Sequence, residues 1–154
     1  MNNDIEADVA IVGAGFTGLW TAYYIKKYSP NTSVVIVEKN HVGFGASGRN
    51  GGWCSALFAT SLEKLAKNSG REKAREQYLE MVKTLDEIET VLTNEKIEAD
   101  WQRGGTVTLA RDQIQLKKAA TEVNHFREWG FDDGYAQLLN KVEASEILNA
   151  SKVY

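Results

Sequence analysis

Cysteine and proline are almost absent from this sequence, and both absences restrict the fold. The chain has 154 residues and one cysteine, Cys54, so it cannot form an intrachain disulfide. A chain without disulfides is typical of a reducing compartment, and we expect a cytoplasmic location. The single proline, Pro30, predicts a helix end just before it, because the residue preceding a proline avoids the helical region.

Long apolar runs and an excess of positive charge are also missing. No stretch approaches the ~20 apolar residues of a transmembrane helix, so we expect no membrane span. The first eight residues lack the basic-then-apolar pattern of a signal peptide. The net charge is −3 without a long basic run, which disfavours nucleic acid as a partner. No metal-ligand cluster, acid–base pair or nucleophilic triad stands out, so the sequence predicts neither a metal site nor a catalytic residue.

A glycine-rich turn lies between an apolar run and a helical pattern near the start of the chain. Its three glycines, Gly13, Gly15 and Gly18, have the G-x-G-x-x-G spacing of dinucleotide-binding turns. Gly13 would permit a tight turn, and Gly15 would allow a pyrophosphate to approach the backbone closely. Gly18 would allow the helix to pack closely on the strand. The helix is predicted to begin at Phe16 or Thr17, so its N-terminal N–H groups would face the phosphates.

Two apolar runs on either side of this helix complete a βαβ pattern. Residues 9–12 and 34–37 are rich in valine and isoleucine, which suits buried parallel strands. Glu38 follows the second run, 20 residues after Gly18, where an acid can bind ribose hydroxyls and disfavours a 2′-phosphate. The residues alone therefore predict a dinucleotide site, and the alternative is a tight turn that binds nothing.

A second glycine-rich loop follows, with five glycines between residues 43 and 52. Glycine is needed where a backbone lies against a flat or anionic ligand, although such a loop can also be merely flexible. Ser47, Arg49 and Asn50 add a hydroxyl, a forked cation and an amide, which suit phosphate or ring oxygens. We predict that this loop contacts the bound ligand.

Together, the two glycine motifs resemble those of the FAD-dependent amine and D-amino-acid oxidase family, which includes glycine and sarcosine oxidases and γ-glutamylputrescine oxidoreductases. The resemblance lies in Gly13-Ala14-Gly15-Phe16-Thr17-Gly18, in Glu38, and in Gly45-Ala46-Ser47-Gly48-Arg49-Asn50-Gly51-Gly52. It implies that FAD is the cofactor. The residues that it implies contact FAD are Gly13, Gly15, Phe16, Thr17, Gly18, Glu38, Lys39, Gly45, Ala46, Ser47, Arg49, Asn50, Gly51 and Gly52.

The rest of the sequence is mainly helical in pattern. Apolar spacing and capping residues predict helices over 61–67, 71–96, 113–129 and 140–147. Val107 and Leu109 alternate with threonines, which predicts a half-buried strand at 106–110. A short apolar segment at 135–139 is interpreted as a further strand.

The resemblance implies an α/β fold in three parts. Residues 1–60 would form a Rossmann-like βαβ unit that binds FAD, 61–98 a helical excursion, and 99–154 the start of an α+β substrate domain. Family members are far longer, so we expect the chain to be truncated and to correspond to about the first third of one. A partner copy in a homo-oligomer or a domain swap could then complete its sheet.

The function implied by the resemblance is oxidation of the CH–NH bond of a small amine or amino acid, with the flavin taking the hydride. We expect this chain alone to be inactive. One alternative is half of an NAD-binding dehydrogenase, and the second glycine loop argues against it. The other is a catalytically inactive remnant domain.

Overall fold

The computed structural model describes residues 4–148 of the chain. The chain divides between Ser55 and Ala56 into two compact units. Within the described residues, the first unit contains a two-stranded sheet and one α-helix, and the second contains four α-helices. The described chain is therefore α/β, as predicted.

The first unit is built from β1 (Val9–Val12), α1 (Phe16–Tyr28) and β2 (Val34–Val37). The two strands are parallel, with Val9 opposite Val34. Parallel strands need a long crossover connection, and α1 supplies it. The carboxyl ends of both strands therefore lie at the same edge of the sheet, where α1 begins.

Asp8 and Ser33 join the amino ends of the two strands. Asp8 Oδ2 accepts hydrogen bonds from the Ser33 main-chain N–H at 2.8 Å and from its hydroxyl at 2.7 Å. The Ser33 hydroxyl oxygen in turn accepts from the Asp8 N–H at 2.8 Å. The bonds from Ser33 hold the pKa of Asp8 below its usual value, and the bond from the Ser33 main-chain N–H has the largest effect.

Four helices make up the described part of the second unit: α2 (Leu62–Ser69), α3 (Arg71–Asn94), α4 (Gln113–Glu128) and α5 (Lys141–Ile147). Side-chain oxygens of Ser61, Asp112 and Asn140 cap α2, α4 and α5. Each accepts from a first-turn amide that has no intrahelical partner, which fixes the helix start locally. No helix in residues 4–148 is long and apolar enough to cross a membrane.

Aromatic and aliphatic side chains form the core of the second unit: Leu62, Ala74, Tyr78, Trp129 and Phe131. The Tyr78 hydroxyl donates to the Thr60 carbonyl oxygen at 2.8 Å. Arg75 donates through Nε and Nη2 to the Gly130 carbonyl oxygen at 3.2 and 2.9 Å. These bonds tie α3 to the segment before α2 and to the turn after α4.

The strand predicted at 106–110 is wrong, because these residues form no β-ladder. The predicted alternation of burial is present: Val107 and Leu109 are half-buried, and Thr106 and Thr108 are exposed. A strand is defined by hydrogen bonds to a neighbour, and in the described part of the chain this segment has no strand beside it.

The strand suggested at 135–139 is also wrong. Residues 133–135 form a turn instead, in which the Tyr135 N–H donates to the Asp132 carbonyl oxygen at 3.0 Å. The Tyr135 ring lies 4.4 Å from the Phe131 ring and 5.1 Å from the Phe126 ring, measured between centroids. The apolar residue that suggested a strand therefore packs against the helical core.

Candidate functional site

The first glycine turn lies between the carboxyl end of β1 and the start of α1. Gly13 has a φ of +100°, and its N–H donates to the Val37 carbonyl oxygen at 2.8 Å. A Cβ at Gly18 would overlap the Gly13 carbonyl oxygen and lie 3.3 Å from Ile11 Cγ2. Close packing of α1 on β1 therefore requires glycine at Gly18, which is the role that the spacing predicts.

The N-terminus of α1 obtains its cap from the second glycine segment. Gly15 occupies the capping position and provides no side-chain acceptor. The Phe16 N–H donates instead to Ser47 Oγ at 2.9 Å. A Cβ at Gly15 would lie 3.0 Å from the same oxygen, so glycine leaves room for the serine. The two glycine segments are thus in direct contact at the positive end of the helix dipole.

Glu38 connects the end of β2 to the first turn. Its Oε2 accepts from the Ala14 N–H and its Oε1 from the Asn40 N–H, both at 3.0 Å. These two hydrogen bonds hold the pKa of Glu38 below its usual range, and the bond from the Ala14 N–H has the larger effect. The carboxylate is therefore charged at neutral pH, and each oxygen retains a lone pair for a further donor.

The second glycine segment repeats the geometry of the first. Gly43 has a φ of +75°, and Gly45 caps the short 3₁₀-helix Ala46–Gly48 with an extended backbone. A Cβ at Gly48 would overlap the Gly43 carbonyl oxygen, as one at Gly18 would overlap Gly13. The Gly43 N–H also donates to the Ala14 carbonyl oxygen at 3.0 Å.

Sequence reasoning missed two residues of this second turn, Gly43 and Gly48. The signal was present, because residues 43–48 also have G-x-G-x-x-G spacing. Gly13 follows β1 directly, whereas five residues separate β2 from Gly43, so the sequence pattern did not indicate a second turn of the same kind.

Arg49 and Asn50 fold back onto the second turn. Arg49 Nε donates to the Phe44 carbonyl oxygen at 2.7 Å, and its guanidinium lies 4.5 Å from the centre of the Phe44 ring. Asn50 Nδ2 donates to the Ser47 carbonyl oxygen at 2.7 Å, and Oδ1 accepts from the Gly52 N–H at 2.8 Å. Both side chains shape the loop, and both residues are exposed to solvent.

The remaining predicted contact residues belong to the same two chain segments, 13–18 and 38–52. Several of them are exposed: Phe16, Thr17, Lys39, Ala46, Gly51 and Gly52. The structure brings together the first turn, Glu38 and the second turn as far as Asn50. A Cβ at Gly51 would meet no atom within 4 Å, so the space beside its Cα is open.

The arrangement fits a dinucleotide. Two glycine-rich turns, a helix N-terminus and the Ser47 hydroxyl lie together here, and such a group of main-chain amides and a hydroxyl suits a diphosphate. A charged carboxylate at the end of β2 suits the hydroxyls of a ribose.

Residues 8–153 match the profile of a family described as FAD dependent oxidoreductase. The chain belongs to this family. The family is FAD-dependent, so the resemblance drawn from the two glycine motifs and the prediction of FAD as the cofactor are confirmed.

Curated members of related sequence are longer than this chain. A probable oxidoreductase OrdL of Haemophilus influenzae is 28% identical over 94% of this chain and 33% of its own length. A gamma-glutamylputrescine oxidoreductase of Escherichia coli is 29% identical over 84% of this chain and 30% of its own length. A sarcosine oxidase subunit beta of Rhizobium meliloti is 54% identical over 28% of this chain and 10% of its own length.

The chain therefore spans about a third of the length of the first two relatives. No solved structure matches it significantly.

Proposed function

We propose that residues 13–52 form the FAD site of an oxidoreductase that oxidises the CH–NH bond of an amine or amino acid. The observation that supports the FAD site best is the hydrogen bond from the Phe16 N–H to Ser47 Oγ at 2.9 Å, because it joins the two glycine segments at the N-terminus of α1. The amine or amino-acid substrate is supported by the names of two relatives, a gamma-glutamylputrescine oxidoreductase and a sarcosine oxidase subunit.

In this proposal the diphosphate of FAD lies at the N-terminus of α1. The helix dipole and the main-chain amides of the segments around Gly15 and Gly45 favour negative charge there. Ser47 Oγ accepts from the Phe16 N–H, and its own proton can donate to a phosphate oxygen. Arg49, which is exposed beside the turn, adds a positive charge.

Glu38 is the proposed ribose ligand. Its two oxygens are held in place by the N–H groups of Ala14 and Asn40, so the carboxylate is oriented before the ligand arrives. The same negative charge would repel a 2′-phosphate, which excludes an NADP-type ligand from our proposal. The remaining proposed contacts to FAD are Gly13, Phe16, Thr17, Gly18, Lys39, Ala46, Asn50, Gly51 and Gly52.

When bound, FAD would supply the redox chemistry by accepting hydride from a carbon next to nitrogen. The residues proposed here bind and orient the cofactor, and none is proposed as catalytic. The FAD dependence of the family disfavours the alternative of an NAD-binding dehydrogenase half.

We further propose the domain organisation that the resemblance implies. Residues 1–60 would be a Rossmann-like FAD-binding unit, 61–98 a helical excursion, and 99–154 the start of a substrate domain. Support comes from the parallel β1–α1–β2 arrangement and from the long α3, which carries exposed charges such as Glu76, Glu80 and Lys83.

Substitution of Ser47 tests the proposed cofactor site. Ser47→Ala removes the hydroxyl next to the proposed diphosphate, so we expect FAD affinity to fall by about tenfold. Ser61→Ala is the matched control, because Ser61 also accepts a helix N-terminal amide, that of Lys64 at 3.4 Å, but caps α2 in the second unit. Equal FAD affinity of the two variants, measured by flavin fluorescence titration, would contradict our assignment.

An inactive remnant that keeps the site would also bind FAD. Anaerobic addition of small amines and amino acids to the FAD-loaded protein separates the two possibilities. Bleaching of the flavin absorbance by one of these substrates supports the oxidoreductase, and a stable yellow colour with every substrate supports the remnant.

A further inference from the structure

We propose that Asn50 deamidates spontaneously and that the product weakens FAD binding. Among the asparagines of the sequence, Asn50 alone is followed by glycine. Asn50 and Gly51 are both exposed, so water reaches them. The reaction at Asn50 depends only on the loop geometry, whereas its effect on FAD rests on the proposed function.

The Asn50 side chain is folded over the peptide that would attack it. Its Oδ1 accepts from the Gly52 N–H at 2.8 Å, which closes a turn around the Gly51 nitrogen. The same N–H polarises the side-chain carbonyl and would stabilise the negative charge that develops on Oδ1 during attack. This bond therefore activates the side-chain carbonyl that the Gly51 nitrogen would attack.

Gly51 gives the backbone the freedom that this attack requires. It has no side chain, and even an added Cβ would meet no atom within 4 Å. Glycine also has the widest range of backbone angles, which eases rotation of its nitrogen towards Asn50 Cγ. An alanine fits the same space, so Gly51→Ala restricts the rotation without overpacking the loop.

The step balances without an oxidant or reductant. The Gly51 nitrogen forms a bond to Asn50 Cγ and loses its proton to solvent, while the Cγ–Nδ2 bond breaks and Nδ2 takes up a proton from solvent and leaves as ammonia. Water then opens the cyclic imide at either carbonyl carbon. The products are aspartate or isoaspartate at position 50, each with a carboxylate in place of the neutral amide.

The new carboxylate would stand beside the proposed diphosphate site. Asn50 Nδ2 donates to the Ser47 carbonyl oxygen at 2.7 Å, and Ser47 is the residue that joins the two glycine turns. Deamidation removes this donor and adds a negative charge next to a space that we assign to an anion. The isoaspartate product also lengthens the main chain, which would displace Gly52 from its bond to the side chain.

Asn140 provides an internal control in the same chain. Its Oδ1 accepts from the Val142 N–H at 2.9 Å, which matches the bond from Gly52 to Asn50. The next residue is Lys141, whose side chain and position in the first turn of α5 restrict rotation of the attacking nitrogen. We therefore expect Asn140 to remain intact while Asn50 reacts.

Peptide mapping by mass spectrometry tests the chemistry. The wild-type 154-residue chain and Gly51→Ala are incubated without cofactor at mildly alkaline pH and sampled over time. We expect a gain of about 1 Da at Asn50 in the wild type, and a rate on the order of tenfold lower in Gly51→Ala. The proposal would be overturned if Asn50 were modified no faster than Asn140 in the wild type. It would also be overturned if Asn50 were modified at the same rate in the wild type and in Gly51→Ala.

Two substitutions at Asn50 test the effect on FAD. Asn50→Asp and Asn50→Ala both remove the donor to Ser47, and only the first adds charge. We expect Asn50→Asp to bind FAD at least about threefold more weakly than Asn50→Ala at low salt. Equal affinity would overturn the link to FAD and leave the mapped reaction standing. Absence of FAD binding by the wild type would instead refute the proposed function.

Discussion

Glu38 stabilises the first unit through its charge, and this contribution depends on pH. The folded pKa lies below the ordinary value of 4.5, chiefly because of the bond from the Ala14 N–H. The stabilisation is therefore complete above pH 4.5 and is lost as the pH falls through the lower, folded value. We expect Glu38→Gln to be less stable than the wild type at neutral pH and this difference to shrink in acid.

Thermal unfolding of the wild type and Glu38→Gln across this pH range checks the prediction. Glu6→Gln is the matched control, since it removes a charge from an exposed residue of the same unit. A difference in melting temperature between Glu38→Gln and the wild type that stays constant through the acid range would refute the linkage.

Gly18 is the glycine whose replacement should damage the fold most directly. A Cβ at this position would overlap the Gly13 carbonyl oxygen, which is fixed main chain and cannot move aside like a flexible side chain. We expect Gly18→Ala to lower the free energy of unfolding by about 1–3 kcal/mol. At Gly45, where an added Cβ would meet no atom within 4 Å, the same substitution should leave stability almost unchanged in urea denaturation. Equal losses at both positions would contradict the packing argument.

Residue roles were predictable where they depend on short spacing. Gly13, Gly18 and Glu38 belong to one local pattern, and their packing or hydrogen bonds follow it. The contact between Phe16 and Ser47 joins residues 31 positions apart, so no local pattern contains it. The residue patterns predicted that both segments contact the ligand, but not that Phe16 and Ser47 are bonded to each other.

At the scale of elements, the helices were predicted well because their signals are local. The helix α1 ends at Tyr28, two residues before Pro30, and α2 begins after its cap at Ser61. Gly130 has a φ of +82° and follows α4, which suits a helix stop. The strand predictions for 106–110 and 135–139 were wrong because a strand also needs a neighbouring strand, which the residues of the segment itself do not specify.

The packing of α3 against the segment before α2 depends on a buried hydroxyl. Tyr78 is 7% exposed, burial raises its pKa, and its hydroxyl donates to the Thr60 carbonyl oxygen. We expect Tyr78→Phe to lower the free energy of unfolding by about 1 kcal/mol, since the carbonyl loses its donor. Tyr135→Phe, which removes a hydroxyl from the same aromatic cluster, is the control. A change no larger than that of the control in urea denaturation would show that this bond contributes little.

The whole molecule consists of two units whose responses to cofactor should differ. The first unit has a sheet of two strands in its described residues, and such a sheet is marginally stable without further packing. A ligand that binds the folded form stabilises it by mass action. We therefore expect FAD to slow amide hydrogen exchange mainly in residues 13–19 and 38–52. Protection confined to residues 56–148 would place the ligand elsewhere.

The chain spans about a third of the length of two relatives. The glycine turns and Glu38 nevertheless lie together in the first unit, at the carboxyl edge of its sheet.

A titration of the purified 154-residue chain with FAD, followed by visible absorbance after removal of free flavin, tests the central claim most directly. We expect the wild type to retain about one flavin per chain and Glu38→Ala to bind it about tenfold more weakly, because the ribose hydroxyls lose their acceptor. A colourless wild-type protein, or equal retention by Glu38→Ala and the control Glu6→Ala, would contradict the proposed site.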